Sequence, residues 1–402
     1  MNKKIIVINA GSSSIKFKIF LQENLQVIAS GLCERIFVDG HFNMKFNDQQ
    51  IDLNISMPDH TKAIECVLEQ LKINKIITDF NDIVGVGHRV VLAGAEIKTS
   101  VKTTPTIKDK IREYIKLAPL HNEPELIVVE IFEKLLPHAI SVASFDNTFH
   151  LTIPEHNYVY PIDQKLAKQY AIRRYGFHGN SYRYITIQMQ KILNKNTVNL
   201  IVCHLGNGAS ISAIKANKSY ATSMGLTPLE GLIMGTRCGD IDPSIPIYLF
   251  RQGFKNDAID NILNKQSGVQ ALCGSSDMRD VQSKYEANNP EAILTITMYA
   301  NSVAKYIVDY VNQLENKIDA LVFTAGIGEN SVFVIKQIID KIKIINLKLN
   351  DQTINTKYSD YKLISAEHSV YPIYCVRTDE ELMIANDVNE IIQKGEISVK
   401  TN

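Results

Sequence analysis

The chain has no excess of charge of either sign. Its 402 residues carry 43 Lys and Arg against 43 Asp and Glu, a formal net charge of zero. Coating nucleic acid or an anionic membrane needs a basic excess, so this balance argues against those classes. It leaves room for one small anion in one pocket. Long apolar runs are also missing, and no stretch reaches the length of a membrane span. The start, Met1-Asn2-Lys3-Lys4 before Ile5-Ile6-Val7-Ile8, has the basic-then-apolar order of a signal peptide. That apolar run is too short, and Asn9 and Gly11 follow without a small-residue cleavage pattern, so a buried strand and a cytoplasmic protein are expected. Cys33, Cys66, Cys203, Cys238, Cys273 and Cys375 form no C-x-x-C pair, which favours free thiols in a reducing compartment over metal ligands or disulfides. What remains is ordinary globular composition, 45% hydrophobic and 21% charged, which rules out a disordered chain, a collagen-like chain and a small disulfide scaffold. The length exceeds what one ordinary core supports, so two domains are expected.

Hydrophobic periodicity gives the elements. Ile5 to Ile8 is a strand, Gly11-Ser12-Ser13-Ser14 a turn, and Ile15, Phe17 and Ile19 alternate with Lys16 and Lys18 as a half-buried strand. Alternation returns at residues 42–46 and 51–55. Ile64, Val67, Leu68 and Leu71 have helical spacing. A strand is predicted over 83–91, a helix over 124–136, and a strand over 141–145 that ends on Asp146. A second series follows: a helix over 182–193, a strand over 198–203, the turn Gly206-Asn207-Gly208, and a strand through Ile211 and Ile214. Helices over 279–316, a strand over 320–324, a Gly-rich loop with a helix after it, a strand over 372–376 and a helix over 379–394 complete it. The opening scheme of strand, Gly/Ser-rich turn and strand thus occurs twice, and no Pro/Gly/Ser linker parts the halves. Two similar α/β domains with a cleft between them are inferred.

Three turns could hold phosphate. Asn9 to Ser14 offers amides and hydroxyls with Lys16 nearby, and is neither a Walker loop nor a G-x-G-x-x-G fingerprint. His204 to Ser210 has two glycines that let the backbone approach a polyanion. Gly326-Ile327-Gly328-Glu329-Asn330 opens a helix. One such turn is weak evidence; three at strand ends favour a nucleotide cleft. Arg89 and Arg237, each in a glycine-flanked run, suit a carboxylate or phosphate, or else a salt bridge such as one from Arg237 to Asp240 or Asp242. Asp146 at a strand's carboxyl end sits where open α/β sheets place their sites, unless it makes an Asx turn. His178 is held in a Gly-bracketed turn, and His121 is similar. Asp379-Glu380-Glu381 heads the last helix, as a cap or as Mg2+ ligands.

In this order the motifs resemble the acetate kinase family of the sugar kinase, Hsp70 and actin superfamily, from about Ile5 to Asp387. The runs that carry the resemblance are Asn9 to Lys16, Arg173 to Gly179, His204 to Ser210, Met224 to Gly231, Met234 to Arg237, Gly274 to Asp277 and Gly326 to Asn330. It implies an α/β fold of two ribonuclease H-like (actin-like ATPase) domains, residues 1–148 completed by a C-terminal helix 382–402, and residues 149–381, with the site in the cleft. It implies Mg2+-dependent, reversible transfer from ATP to acetate, giving ADP and acetyl phosphate, with Mn2+ as a substitute metal, and a homodimer with neither nucleic acid nor membrane as partner. By the same pattern Asn9 and Glu380 serve the metal. Lys16, His204, Leu205, Gly206, Asn207, Gly208, Asp277, Met278, Arg279, Ala325, Gly326, Ile327, Gly328 and Glu329 bind nucleotide. Arg89 holds the acyl carboxylate or phosphate, and Val91, Leu120, Phe177 and Pro228 match a small apolar acyl pocket. Asp146 is the catalytic acid, and His178 and Arg237 stabilise the transferring group. Acetate is ionised at neutral pH and needs no general base, so Asp146 is expected to orient Mg2+ or its water shell.

The chain departs from that pattern in places. Leu92-Ala93-Gly94-Ala95 stands for His-Gly-Gly-Glu, with Glu96 one place late. Asn180 and Tyr182 stand for Thr and His, Ala221 for Asp, Cys238 for Ser, Ala325 for Gly and Asp379 for Asn. The changes cluster on the acyl side, so a propionate or other short-chain acyl kinase is an alternative. A non-catalytic actin- or Hsp70-type switch is another, disfavoured because Arg89, Asp146, His178, Arg237 and Glu380 are all retained.

Overall fold

The computed structural model describes residues 3–400; of Leu120 and residues 396–400 it describes the backbone alone. The chain divides into two compact units, Met1–Thr148 with Asp379–Asn402, and Phe149–Thr378.

The first unit holds strands β1 (Lys4–Ala10), β2 (Ile15–Leu21), β3 (Val27–Glu34), β4 (His41–Phe46), β5 (Gln49–Asn54), β6 (Ile83–Val90), β7 (Val101–Lys102) and β8 (Ile140–Phe145). Its helices are α1 (His60–Ile73), α2 (Pro105–Glu113), α3 (Pro119–Leu135) and the C-terminal helix (Glu380–Lys400). The sheet order is β5-β4-β3-β2-β1-β6-β8-β7, with β1, β6 and β8 parallel and the other pairs antiparallel. Because β1 is central, both of its faces are covered. Ile6 and Ile8 join Val67, Leu68 and Phe132 in one core, while Ile5 and Val7 join Ile384, Val388 and Ile392 of the C-terminal helix in another. This is why β1 reads as an unbroken apolar run. A Cβ on Gly85 of β6 would stand 2.5 Å from Val388 Cγ1, and one on Gly87 2.5 Å from Ile384 Cγ2. Only glycine lets the helix seat so closely there.

The second unit holds β9 (Leu200–Leu205), β10 (Ala209–Lys215), β11 (Lys218–Thr222), β12 (Ala320–Thr324), β13 (Tyr361–Leu363) and β14 (Ile373–Val376) in the order β11-β10-β9-β12-β14-β13. Its helices are α4 (Glu155–Tyr158), α5 (Gln164–Gln169), α6 (Gly179–Leu193), α7 (Ser244–Arg251), α8 (Asn256–Lys265), α9 (Gly268–Cys273), α10 (Met278–Glu286), α11 (Pro290–Gln313), α12 (Ala325–Asn330) and α13 (Val332–Lys341). β9 and β10 form an antiparallel hairpin, and β9, β12 and β14 run parallel. The order β3-β2-β1-β6-β8-β7 of the first unit is therefore the order of the whole second sheet, and the internal repeat is topological.

Three of the differences between the expected elements and the structure have a clear local cause. β3 was not predicted, because Ala29-Ser30-Gly31-Leu32 has no alternating pattern. The strand forms because β2 and β4 flank it, and a Cβ on Gly31 would stand 2.4 Å from both Asn43 O and Phe17 Cζ. The helix expected from residue 124 starts at Pro119 and runs through Pro124. Proline removes one helical hydrogen bond, but Asn122 Nδ2 anchors the first turns by donating to Leu92 O at 2.6 Å and Ile111 O at 3.2 Å. The Gly-rich run after β12 is itself helical, with no intervening loop. All six cysteines are free, and no helix among the described residues is long and apolar enough to cross a membrane.

His88 on β6 is 2% exposed, its ring edge-on to Phe132, and among the described residues neither ring nitrogen has a hydrogen-bond partner. Burial pushes its pKa from 6.5 down to about 3. Between those values the unfolded chain binds a proton that the folded chain does not, so stability falls as pH drops through that window. His88→Leu should remove this loss. Urea unfolding at pH 7 and pH 5 is expected to show the variant losing less stability than wild type, by about 1–2 kcal/mol.

Candidate functional site

In the first unit the odd-numbered face of β1 and β6 leads to charged residues at the strands' carboxyl ends. Arg89 follows Gly85 and Gly87 on that face and meets Asp146, which follows β8. Arg89 Nη2 donates to Asp146 Oδ2 at 2.6 Å, and Nε lies 3.1 Å from Oδ1. Arg89 Nη1 donates to Asn9 Oδ1 at 3.3 Å, and Nε lies 4.0 Å from a carboxylate oxygen of Glu380. The helix seated on the two glycines brings Glu380 here. Burial works against the Arg89 charge, but Asp146 and Glu380 hold its pKa above the ordinary value. Burial pushes the Glu380 carboxyl up, with Asp146 and Glu381 adding to the rise and Arg89 opposing it. Asp146 is thus an ion-pair partner, 1% exposed, with its own N–H donating to Val90 O at 2.9 Å.

Asn9, Asp146 and Glu380 are hard oxygen donors beside the Arg89 guanidinium, Asp146 buried and the other two half-buried. That donor set fits Mg2+, which takes one or two carboxylates and fills its other positions with water and substrate phosphate. Among the described residues no group of three or more His, Cys, Asp or Glu could hold a metal by itself.

Lys16 lies in this unit with Nζ 2.6 Å from Glu381 Oε1, and Lys18 Nζ is 3.2 Å from Glu381 Oε2 and 2.9 Å from Asp379 Oδ1. Burial opposes the Glu381 charge, but Lys18 and Lys16 hold its pKa below the usual carboxylate range. Glu381, expected as a cap or an Mg2+ ligand, is instead the ion-pair partner of Lys16 and Lys18, which share one face of β2. Asp379 combines its ion pair with a cap, accepting from Leu382 N at 3.0 Å. Val91 is 2% exposed, and its N–H donates to Glu125 Oε2 at 3.0 Å. Leu120 stands in the first turn of α3, and its side chain lies outside the described residues.

In the second unit α6 packs on the even-numbered face of β9, where Leu200 and Val202 meet Tyr182, Ile185 and Met189. His178 precedes α6 in a left-handed conformation (φ 59°), a strained backbone of the kind functional sites retain. Its ring stacks on His204 at 4.1 Å between centroids. Ser210 Oγ lies 2.9 Å from His178 Nδ1, and Ser181 Oγ 2.8 Å from His204 Nδ1. Fixing Nδ1 aims Nε2 of His178 toward Gly208: Nε2 would be 3.7 Å, and Arg237 Nη1 3.6 Å, from a Cβ on that glycine. His178 and Arg237 thus converge on the turn Gly206 to Gly208, whose Asn207 O accepts from Gly235 N at 2.9 Å. Arg237 Nη1 also donates to Pro228 O at 3.1 Å. Asp240 accepts from Gly231 N and Tyr306, and Asp242 from Ser244 N. Phe177 is buried, and its carbonyl oxygen lies 2.8 Å from His150 Nε2.

A cavity of about 700 Å³ in the same unit is lined by Asn207, Asp277, Met278, Arg279, Gly326 and Ile327 among the expected residues. Ser276 and Asn330, from two of the runs that carry the family resemblance, line it as well, together with Gln282, Ser331, Val332 and Phe333, which no motif marks. Arg279 Nη2 lies 2.6 Å from Asp277 Oδ2, and these hydrogen bonds hold the Asp277 carboxyl down at about 2. Glu329 turns inward: its Oε1 accepts from Ala325 N and Thr378 N, both at 3.0 Å. His204 and Leu205 close β9 and are buried.

A pair of sheets built on one strand plan, each with charged or Gly-rich ends, is the actin-like ATPase fold. Solved structures agree: an acetate kinase of Porphyromonas gingivalis (TM-score 0.89, 36% identity, 97% of this chain and 100% of that one) and a propionate kinase of Francisella tularensis (TM-score 0.92, 38% identity, 96% and 99%). The acetokinase family pattern matches residues 4–386, and the chain belongs to that family. It is 50% identical over 387 residues to an acetate kinase of Mycoplasmoides gallisepticum, covering 96% of this chain and 98% of that one.

Ala325, where the family resemblance has glycine, is left-handed (φ 64°). Ala325→Gly relieves this strain, against the greater freedom it gives the unfolded chain. A net gain of about 0.5–1 kcal/mol is expected, seen as a raised Tm in thermal unfolding.

Proposed function

We propose that the chain acts as an acetate kinase, transferring the γ-phosphoryl group of ATP to acetate and running reversibly with Mg2+. The observation that carries this reading is the cluster of Arg89, Asp146, Asn9 and Glu380 at the strand ends of the first unit, in a chain of this family.

The chemical difficulty is repulsion between anions, since acetate is already an ionised nucleophile. Arg89 supplies a fixed cation for the acyl carboxylate, with Asp146 keeping the guanidinium in place. Arg237 and His178 offer donors to the transferring group as its charge spreads over the equatorial oxygens. Asn9 and Glu380 would hold Mg2+, with Asp146 orienting its shell, and the ion supplies neutralisation of the phosphate charge when bound. The cavity beside α10 and α12 takes the nucleotide. Val91, buried two residues after Arg89 in the first unit, gives the acyl site an apolar wall. Propionate is the second reading, favoured by the likeness to the propionate kinase of Francisella tularensis. A homodimer is part of the proposal, supported by α7, which buries none of its side chains and exposes Ile247, Tyr248 and Phe250 by more than half. A cytoplasmic setting accords with the six free thiols.

A hydroxamate assay with acetate, propionate and butyrate tests the reading. Acyl phosphate is expected, and Arg89→Ala and Arg237→Ala should each lower kcat/KM by about 10²–10³. Turnover that survives both changes nearly intact overturns the site. Asp146→Asn is expected to raise the Mg2+ concentration needed for half-maximal rate; an unchanged Mg2+ dependence overturns its assigned role.

A further inference from the structure

We infer that Glu125 is a positioning residue that determines acyl specificity: from α3 it fixes the main chain at Val91, and so the apolar wall that measures the acyl chain. The inference rests on the acyl-kinase reading above. Residues 91–94 are buried, and the run Leu92-Ala93-Gly94-Ala95 has no polar side chain with which to hold itself. Its main chain is pinned from outside instead. Glu125 Oε2 accepts from Val91 N at 3.0 Å. Asn122 accepts from Leu92 N at 3.2 Å and donates to Leu92 O at 2.6 Å, and Asn147 Nδ2 donates to Gly94 O at 2.7 Å. Asn147 adjoins Asp146, so the segment is tied to the charged cluster at one end and to α3 at the other.

Of these ties, Glu125 is the one on Val91, the residue that the reading above assigns to the acyl wall. It is 2% exposed, and a carboxyl so buried costs folding energy. Burial pushes it up to about 8, against the opposing Val91 hydrogen bond. A neutral carboxyl still offers its carbonyl oxygen to Val91 N, so the tie does not need the charge. The tie satisfies a buried amide that would otherwise cost folding energy. It also holds that amide in place beside Arg89, where a small shift of the Val91 wall changes whether one extra methylene fits.

The test is the ratio of kcat/KM for acetate to kcat/KM for propionate, which does not depend on the fraction of enzyme folded. Glu125→Leu keeps the volume and removes the acceptor, while Glu125→Gln keeps both. Glu125→Leu should lower the ratio about fivefold, less than the roughly 10–200-fold that a whole methylene is worth, with the KM for ATP unchanged. Glu125→Gln should stay near the wild-type ratio. An unaltered ratio in Glu125→Leu, or an equal shift in both variants, overturns the inference while wild-type activity upholds the function. A wild type that makes no acyl phosphate overturns the functional reading, and the inference with it.

Discussion

The close seating of the C-terminal helix on β6 is the constraint on which the first unit's chemistry depends. Two glycines on one face of the strand remove the Cβ atoms that would hold the helix off. The helix then covers Ile5 and Val7 with its own Ile384 and Val388, and its first residue arrives beside Arg89. One packing contact thus closes the core and delivers an acid to the strand ends. A buried ion pair such as Arg89 with Asp146 is poor evidence of stability, because desolvation offsets the Coulomb gain. Its consequence is positional: all three guanidinium nitrogens have assigned partners.

The second unit reaches a similar end by a different local route. Its sheet repeats the strand order of the first, yet its functional side chains are held by backbone strain and hydroxyl contacts rather than by a helix pressed onto glycine. His178 keeps a left-handed conformation because α6 begins immediately after it and Ser210 fixes its ring. Glu329, in a run that reads as phosphate-binding, spends its carboxylate on the Ala325 and Thr378 amides, so that run's rigidity is its own work.

Much of this was legible in the chain. The apolar run at Ile5 to Ile8, the two Gly/Ser-rich turns between strands and the acid after Phe145 marked the sheet centres and their carboxyl ends. Less visible were the parts that depend on partners distant in sequence. β3 lacks its own pattern and forms because β2 and β4 pair with it. The α3 helix passes through Pro124 because Asn122 is anchored to Leu92 and Ile111. Gln282 and the cavity wall from Ser331 to Phe333 carry no motif of their own.

The sequence alone determined which residues could do chemistry: glycine-flanked arginines, a strand-end carboxylate and a histidine in a tight turn. These are local facts, set by side-chain type and backbone freedom. Tertiary structure decided which of them meet. The pairing of Arg89 with Asp146, the stacking of His178 on His204, and the hold of Glu125 on Val91 join positions 57, 26 and 34 residues apart. No periodicity encodes such distances, because they follow from which strands pair and how closely a helix can approach them.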